Sequence, residues 1–321
     1  MFEPERSFKD RAPLRRDMDA TVRQARADDY EAVAGFTADT WDDREERDYI
    51  PDVFRDWVAG DGTDQRTVVA VIDGDAVGLC QAIMLTDHEA WLQGMRVDPD
   101  YRQAGLGLRM VGHLFEWADD RGATVARNIV FSWNDPGLGQ SVAAGFEPVT
   151  SFRWAEPTPR EGSPKLTVDD DPAAAWSYWT ASDARTELGG LTLDADRSWA
   201  LSELTRDGLH DLADEQRVFA VKRDGTRGMA CRVRTDGGPD GEAIAEYGVA
   251  AWDDTDAADA LVTAIRADAA DLGVDAIRIM LPETPRHVAE AAFVRANTSD
   301  WPTFVTSADL TGDGGSPGEN R

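Results

Sequence analysis

Residues 97–108 read Val-Asp-Pro-Asp-Tyr-Arg-Gln-Ala-Gly-Leu-Gly-Leu. They leave a segment in which Trp91, Gln93, Met95 and Val97 recur at every second position. They enter one in which Leu108, Val111, Leu114, Phe115 and Ala118 follow a helical period. A strand, a tight glycine loop and a helix N-terminus, in that order, build an anion seat. The loop amides and the first free N–H groups of the helix converge on one spot, where the helix dipole adds partial positive charge. Gly105 and Gly107 allow backbone angles closed to other residues and put no Cβ in the way of a phosphate. Arg102 adds a forked donor nearby. The segment is therefore expected to take the pyrophosphate of a cofactor, and the competing reading is a glycine-rich connection that only turns the chain. The glycine spacing is not that of the dinucleotide fingerprint, and no Gly-Lys-Ser/Thr follows as in a triphosphate loop.

With these residues in view, the stretch from about Thr21 to Trp154 resembles the GNAT superfamily of acyl-CoA N-acyltransferases. Arg102 to Gly107 stand where that family has its pyrophosphate loop. Asn134, a short helix and then Gly145-Phe146-Glu147-Pro148 form a second matching signature. The resemblance implies an α+β fold with a mixed, mostly antiparallel central sheet flanked by helices. It implies acetyl-CoA as cosubstrate, no metal, and direct attack of a primary amine on the thioester. The backbone of Met95, Arg96 and Val97 would grip the pantetheine arm, with the Met95 N–H facing the thioester carbonyl. Arg102 and the amides of Gln103, Ala104, Gly105, Leu106, Gly107 and Leu108 would take the pyrophosphate. Asn134 would bond the pantetheine arm or the helix after it.

The acid and base are less sharply marked. Glu89 stands two residues before Trp91, so alternation places it on one face with Trp91, Gln93 and Met95. It is the candidate general base, directly or through a water, with Asp87 and His88 beside it; an ordinary solvated carboxylate at a strand end fits Glu89 as well. Many members of the family carry a tyrosine four residues before the Gly-Phe pair, as acid for the departing thiolate. Here that position is Ser141. Either Ser141 substitutes, or the thiolate leaves unaided, or catalysis is weak. The acceptor pocket is expected from the first helical region, where Trp41, Asp42, Asp43, Glu45, Glu46, Asp48 and Tyr49 combine carboxylates with aromatic faces that suit a cationic amine. The bland reading of that stretch is a solvated acidic surface. The run Trp41 to Trp57, including Asp48-Tyr49-Ile50-Pro51, faintly resembles the histidine N-acetyltransferase branch, which points to a small amine or amino-acid-like acceptor, beside which a protein amine stays open.

The 321 residues hold 61 acidic and 33 basic side chains, a formal charge of −28. Such a surface repels nucleic acid and anionic lipid, so neither is an expected partner. Dense Asp and Glu with only three lysines resembles proteins of salt-loving archaea, where molar salt screens the self-repulsion. Cys80 and Cys231 lie far apart in apolar strands and read as buried free thiols, in keeping with a reducing cytoplasm. No run approaches the length of a membrane span, and the charged N-terminus has no signal-peptide core.

Along the chain, residues 1–18 read as a loose tail, 19–156 as the acyltransferase domain, 157–172 as a Pro- and Asp-rich linker, 173–310 as a second globular unit and 311–321 as a Gly/Ser/Pro tail. The order of elements in 173–310 repeats the first domain: a hairpin turned at Asp224-Gly225, a strand near Ala243 to Ala251, an amphipathic helix from Ala257, then strands near Asp275 to Leu281 and Thr303 to Leu310. A diverged duplication explains this, although any α+β domain offers a similar order. The second copy has Asp253-Asp254-Thr255-Asp256 where the first has its glycine loop, so one cofactor site is expected. The alternative to an enzyme is a module that binds acyl-CoA without turning it over.

Overall fold

The computed structural model describes residues 19–38, 40, 48–215, 217–237 and 241–312. Residues 1–18, Trp41, Asp42, Asp43, Glu45 and Glu46 of the acidic stretch, and 313–321 lie outside the described residues. Contacts divide the chain into two units, one running to Thr124 and resuming at Leu310, the other spanning Val125–Asp309. The division does not fall in the 157–172 segment.

The first unit comprises β1 (Thr21–Gln24), α1 (Tyr30–Thr37), α2 (Ile50–Gly60), β2 (Gln65–Ile72), β3 (Asp75–Met84), β4 (Glu89–Val97) and α3 (Leu106–Asp119). The strands pair antiparallel in the order β1-β2-β3-β4. The β2–β3 turn works because Asp73 and Gly74 both take positive φ, the mirror-image turn that matches strand twist. Alternation gives the sheet two faces. Val69 and Leu79 point to one, where they form a core with Val33, Ile50 and Phe54 of α1 and α2. Ala70 and Gly78 point to the other, where a Cβ on Gly78 would come within 3.0 Å of the Met110 methyl of α3. On α3, Leu106, Met110, Val111, Leu114, Trp117 and Ala118 are buried at helical spacing. Asp29, the last residue of a short 3-10 turn that precedes α1, accepts the Arg26 N–H at 2.7 Å and pairs with Arg23 at 2.7 Å.

The second unit comprises β5 (Val125–Phe131), α4 (Asp135–Ala143), β6 (Glu147–Glu156), β7 (Thr167–Asp169), α5 (Pro172–Ala181), α6 (Asp183–Glu187), β8 (Leu191–Leu193), β9 (Leu201–Glu203), α7 (Arg206–Glu215), β10 (Arg217–Lys222), β11 (Thr226–Gly237), β12 (Ala243–Trp252), α8 (Thr255–Leu272), β13 (Ala276–Pro282), α9 (Pro285–Phe293), β14 (Asn297–Thr298) and β15 (Thr303–Asp309). Its main sheet runs β5-β15-β6-β13-β12-β11-β10-β7, antiparallel except for the β12–β13 pair. Part of the expected linker is structured. β7 pairs with β10, and the Arg160 N–H donates to the Arg266 carbonyl at 3.1 Å. Tyr247, Trp252, Leu261, Ile265 and Leu281 centre a core between α8 and the sheet.

The strand order carries a finding that sequence patterning did not anticipate. By the repeat correspondence, β5 and β6 belong to the first copy and β13 and β15 to the second. Yet β15 lies along the whole of β5, from Thr303 opposite Phe131 to Asp309 opposite Val125. β6 in turn pairs with β15 through Glu147 to Phe152 and with β13 through Phe152 to Ala155. Each copy therefore lends its last strand to the other.

Both cysteines are free and buried. Burial pushes each thiol up to about 12, against the weaker pull of nearby hydrogen bonds. A thiol-specific chromogenic reagent at mildly alkaline pH is expected to label neither in the native protein and both after denaturation. No helix among the described residues is long and apolar enough to cross a membrane. No cluster of three or more His, Cys, Asp or Glu among them has the geometry for a metal.

Candidate functional site

β4 does not keep its alternation. Gln81 faces Gln93 and Leu79 faces Arg96, so Gly94 and Met95 together oppose the single residue Cys80. This is a β-bulge, and Gly94 makes it with φ +65°. The bulge turns the strand by one residue. Gln93 and Arg96 share the face of α1 and α2, and Met95 falls on the other. The expected face of Glu89, Trp91, Gln93 and Met95 is thus correct as far as Gln93 and wrong for Met95. The extra residue also leaves β4 backbone without a ladder partner on the β3 side, at the position where the thioester carbonyl is expected.

Gly94 is held from above by Trp57. A Cβ on Gly94 would lie 2.6 Å from two ring carbons of Trp57 and 3.2 Å from Ile50 Cδ1. Gly94→Ala is expected to destabilise the protein by about 2–5 kcal/mol, the sum of a left-handed backbone penalty and forced repacking. The midpoint of urea unfolding measures it.

Arg96 and Asp48 form a buried pair on that face. Arg96 Nε donates to Asp48 Oδ2 at 2.6 Å, and Asp48 Oδ1 accepts the Ile50 N–H at 3.0 Å, which starts α2. The Asp48 side chain has no exposure. Asp48 is therefore not an open carboxylate for a cationic substrate, as the acidic stretch suggested; it neutralises Arg96 and caps a helix. Tyr49, beside it, stays exposed at the surface.

Glu89 opens β4 and is 1% exposed, with Thr86 Oγ1 at 3.3 Å from its carboxylate. Met95 lies six positions further along the strand, about 18–20 Å at strand rise. It does not stand beside Met95, because the strand is extended and Glu89 lies at its far end.

The loop after β4 leads into a helix as expected, but the left-handed residues are Gln103 and Gly105, and Gly107 lies within α3. Asp98 receives the Asp100 N–H at 2.9 Å and starts a 3-10 turn at Pro99–Tyr101. Gln103 and Gly105 then take φ of +64° and +76°, and α3 begins at Leu106. Gly105 is the N-cap residue. No side chain caps the helix, and its first turn holds no acid. The first helical bond is made by the Arg109 N–H to the Gly105 carbonyl at 3.2 Å, so the amides of Leu106, Gly107 and Leu108 precede the helical ladder. A Cβ on Gly105 would meet no atom within 4 Å, so the space over the loop is open. Arg102 is exposed and its Nε donates to the Val97 carbonyl at 3.3 Å.

In the other unit, Asn134 Oδ1 caps α4 by accepting the Gly137 N–H at 3.0 Å, and its Nδ2 has no partner among the described residues. Ser141 is buried. Its hydroxyl lies 3.0 Å from Thr306 Oγ1 on β15 and 3.4 Å from Asn128 Nδ2, while Thr306 donates to Asn128 Oδ1 at 2.6 Å. Ser141 thus closes a polar triad under the exchanged strand.

The sequence profile of the Acetyltransferase (GNAT) family matches residues 21–139. Residues 21–139 belong to the GNAT acetyltransferase family. A search of curated proteins returned no match. Solved structures share the fold over nearly the whole chain. A GCN5-related N-acetyltransferase from Sphaerobacter thermophilus is 16% identical with a TM-score of 0.58, covering 91% of this chain and 96% of that one. A candidate acetyltransferase from Thermoplasma acidophilum is 18% identical with a TM-score of 0.55, covering 90% and 99%. Another, from Pyrococcus horikoshii, is 15% identical with a TM-score of 0.50, covering 95% and 93%. The GNAT fold of this chain therefore includes the C-terminal half.

The helix α8 of that half starts differently from α3. Asp254 caps α8, accepting from the amides of Asp256 and Ala257 at 3.1 and 2.9 Å. The Ala257 amide leads in holding the Asp254 carboxyl below the usual carboxylate range, with Arg223 adding to it against partial desolvation. The helix N-terminus that would meet a phosphate meets the chain's own anion. Arg286 closes the end of β12 by donating to the carbonyls of Trp252 and Asp253 at 2.9 and 2.8 Å.

Proposed function

We propose that this protein transfers an acetyl group from acetyl-CoA to a primary amine. The observation that carries it is the uncapped, acid-free N-terminus of α3 behind left-handed Gln103 and Gly105, at the end of a strand bulged at Gly94. Arg102 and the amides of Gln103, Ala104, Gly105, Leu106, Gly107 and Leu108 hold the pyrophosphate. Met95, Arg96 and Val97 hold the pantetheine arm through their backbone, with a bulge amide at Met95 as oxyanion donor. Bound acetyl-CoA supplies an activated acyl carbon and a thiolate that leaves readily. The protein then has to orient an amine and steady the oxyanion, with no covalent nucleophile.

The acceptor is a small or amino-acid-like amine. Water is the base that fits Met95, given the length of strand between it and Glu89. Glu89 would act only through a chain of waters. Ser141 serves as acid only by leaving its triad. Those two engaged side chains favour a second reading, an acyl-CoA-binding module without turnover. Calorimetric titration with acetyl-CoA, then CoA release against glycine, L-lysine, spermidine and phenethylamine in molar KCl, decides between them. Binding with amine-dependent release supports the transferase. Binding without release leaves the module, and no binding removes both.

A further inference from the structure

A row of polar side chains crosses the sheet of the first unit where core residues belong. Thr67 on β2 faces Gln81 on β3, and Gln81 faces Gln93 on β4. Thr67 and Gln81 have no exposure, while Gln93 is half-buried. The three are joined end to end. Gln93 Nε2 donates to Gln81 Oε1 at 2.7 Å. Gln81 Nε2 donates to Thr67 Oγ1 at 3.0 Å. Thr67 Oγ1 donates to Asp61 Oδ1 at 2.9 Å, just beyond the end of α2. Asp61 also accepts the Thr67 N–H at 2.9 Å and Gln24 Nε2 at 3.1 Å.

The direction of every bond follows from the last one. An ionised carboxylate only accepts, so the Thr67 hydroxyl must donate to it. The Thr67 oxygen is then left to accept, which turns the Gln81 NH2 toward it and the Gln81 carbonyl toward Gln93. Gln93 must offer its NH2 to that carbonyl. One amide group remains with a fixed outcome: Gln93 Oε1, which has no partner among the described residues. It is presented on the α1–α2 face, next to the bulge at Gly94 and Met95.

We propose that Gln93 Oε1 is the hydrogen-bond acceptor for an N–H of the incoming primary amine, with Gln81, Thr67 and Asp61 as positioning residues that hold the oxygen outward. This rests on the acetyltransferase assignment above and names a contact of its acceptor site. An amine held by one N–H at Gln93 keeps its lone pair for the acyl carbon near Met95. A buried polar row is otherwise a poor use of core positions, since apolar side chains of the same shape pack there at no desolvation cost.

Two kinds of variant test it, using the full-length protein and each amine that wild type acetylates. Gln93→Leu removes the acceptor and is expected to raise the amine KM at least tenfold while the acetyl-CoA KM stays within twofold. Thr67→Val leaves Gln93 in place but cuts the row, and is expected to raise the amine KM about threefold to tenfold through lost orientation. Thr67→Ser restores it, which a purely packing role for Thr67 does not predict. Amine KM within twofold of wild type in Gln93→Leu overturns the contact. An unchanged amine KM in Thr67→Val overturns the relay. Side-chain amide NMR provides a readout without turnover. Adding n-propylammonium to the CoA complex should shift the Gln93 Nε2 signals, identified by their loss in Gln93→Leu. A CoA complex in which those signals do not move overturns the contact as well. Absence of amine-dependent CoA release in wild type, with the NMR shift present, would count against the transferase assignment and not against the contact.

Discussion

Gly105→Asp is expected to raise the Kd for acetyl-CoA at least about 100-fold, some 2.7 kcal/mol, while the protein stays folded. The second half of the chain supplies the reason. At α8 a carboxylate sits on the helix N-terminus and takes the amides that a phosphate would use. The α3 N-terminus has no such group. An aspartate at Gly105 competes for the same amides and repels the pyrophosphate. Two unit charges 4 Å apart cost about 1 kcal/mol in water and about 4 kcal/mol near a protein surface, so one added charge suffices. Aspartate tolerates the left-handed backbone of Gly105 better than most residues, and a Cβ there meets nothing within 4 Å. Gly105→Asn, neutral and of similar shape, is expected to keep most of the affinity. Titration calorimetry with thermal unfolding as a control separates the two variants. Aspartate binding as tightly as glycine would show that α3 does not seat the diphosphate.

Cutting the chain in the 157–172 segment is expected to leave neither half folded. A fragment 1–156 keeps β5 and β6 but loses β15, which pairs along both, and β13, which takes the far end of β6. A fragment 157–321 keeps β13 and β15 but loses the strands that cover them. Each fragment exposes unpaired strand edges flanked by apolar side chains such as Phe152 and Val305, both fully buried in the whole chain. Separate expression should give aggregate or a non-cooperative unfolding trace, and co-expression should give a complex with the stability of the intact protein. Two halves that each unfold cooperatively alone would contradict the exchange. The compact units accordingly divide at Thr124 and Val125 and not in the 157–172 segment.

The duplicated order of elements was legible because hairpins and helices are written within short stretches. Asp73-Gly74 and Asp224-Gly225 both take the left-handed angles their turns require, and α8 starts where the acidic cap stands. The exchange was not legible, since β6 and β15 carry nothing local that states which neighbour each will take. The bulge at Gly94 was missed for a related reason. A glycine inside an alternating strand is a weak signal on its own, and only the ring of Trp57, contributed by α2, makes glycine obligatory there. The role of Glu89 was inferred by extending alternation across that bulge, and a single inserted residue reverses every face beyond it.

By itself the sequence determined the strand–loop–helix junction at residues 97–108, because such a junction depends on residues next to one another. Tertiary structure alone decided what the other candidate side chains are bonded to. Asp48 is spent on Arg96, Ser141 is tied beneath β15, and a row from Asp61 to Gln93 is assembled from separate strands and a loop. Such side-chain partnerships depend on register and on helix placement, and no short stretch of chain encodes either.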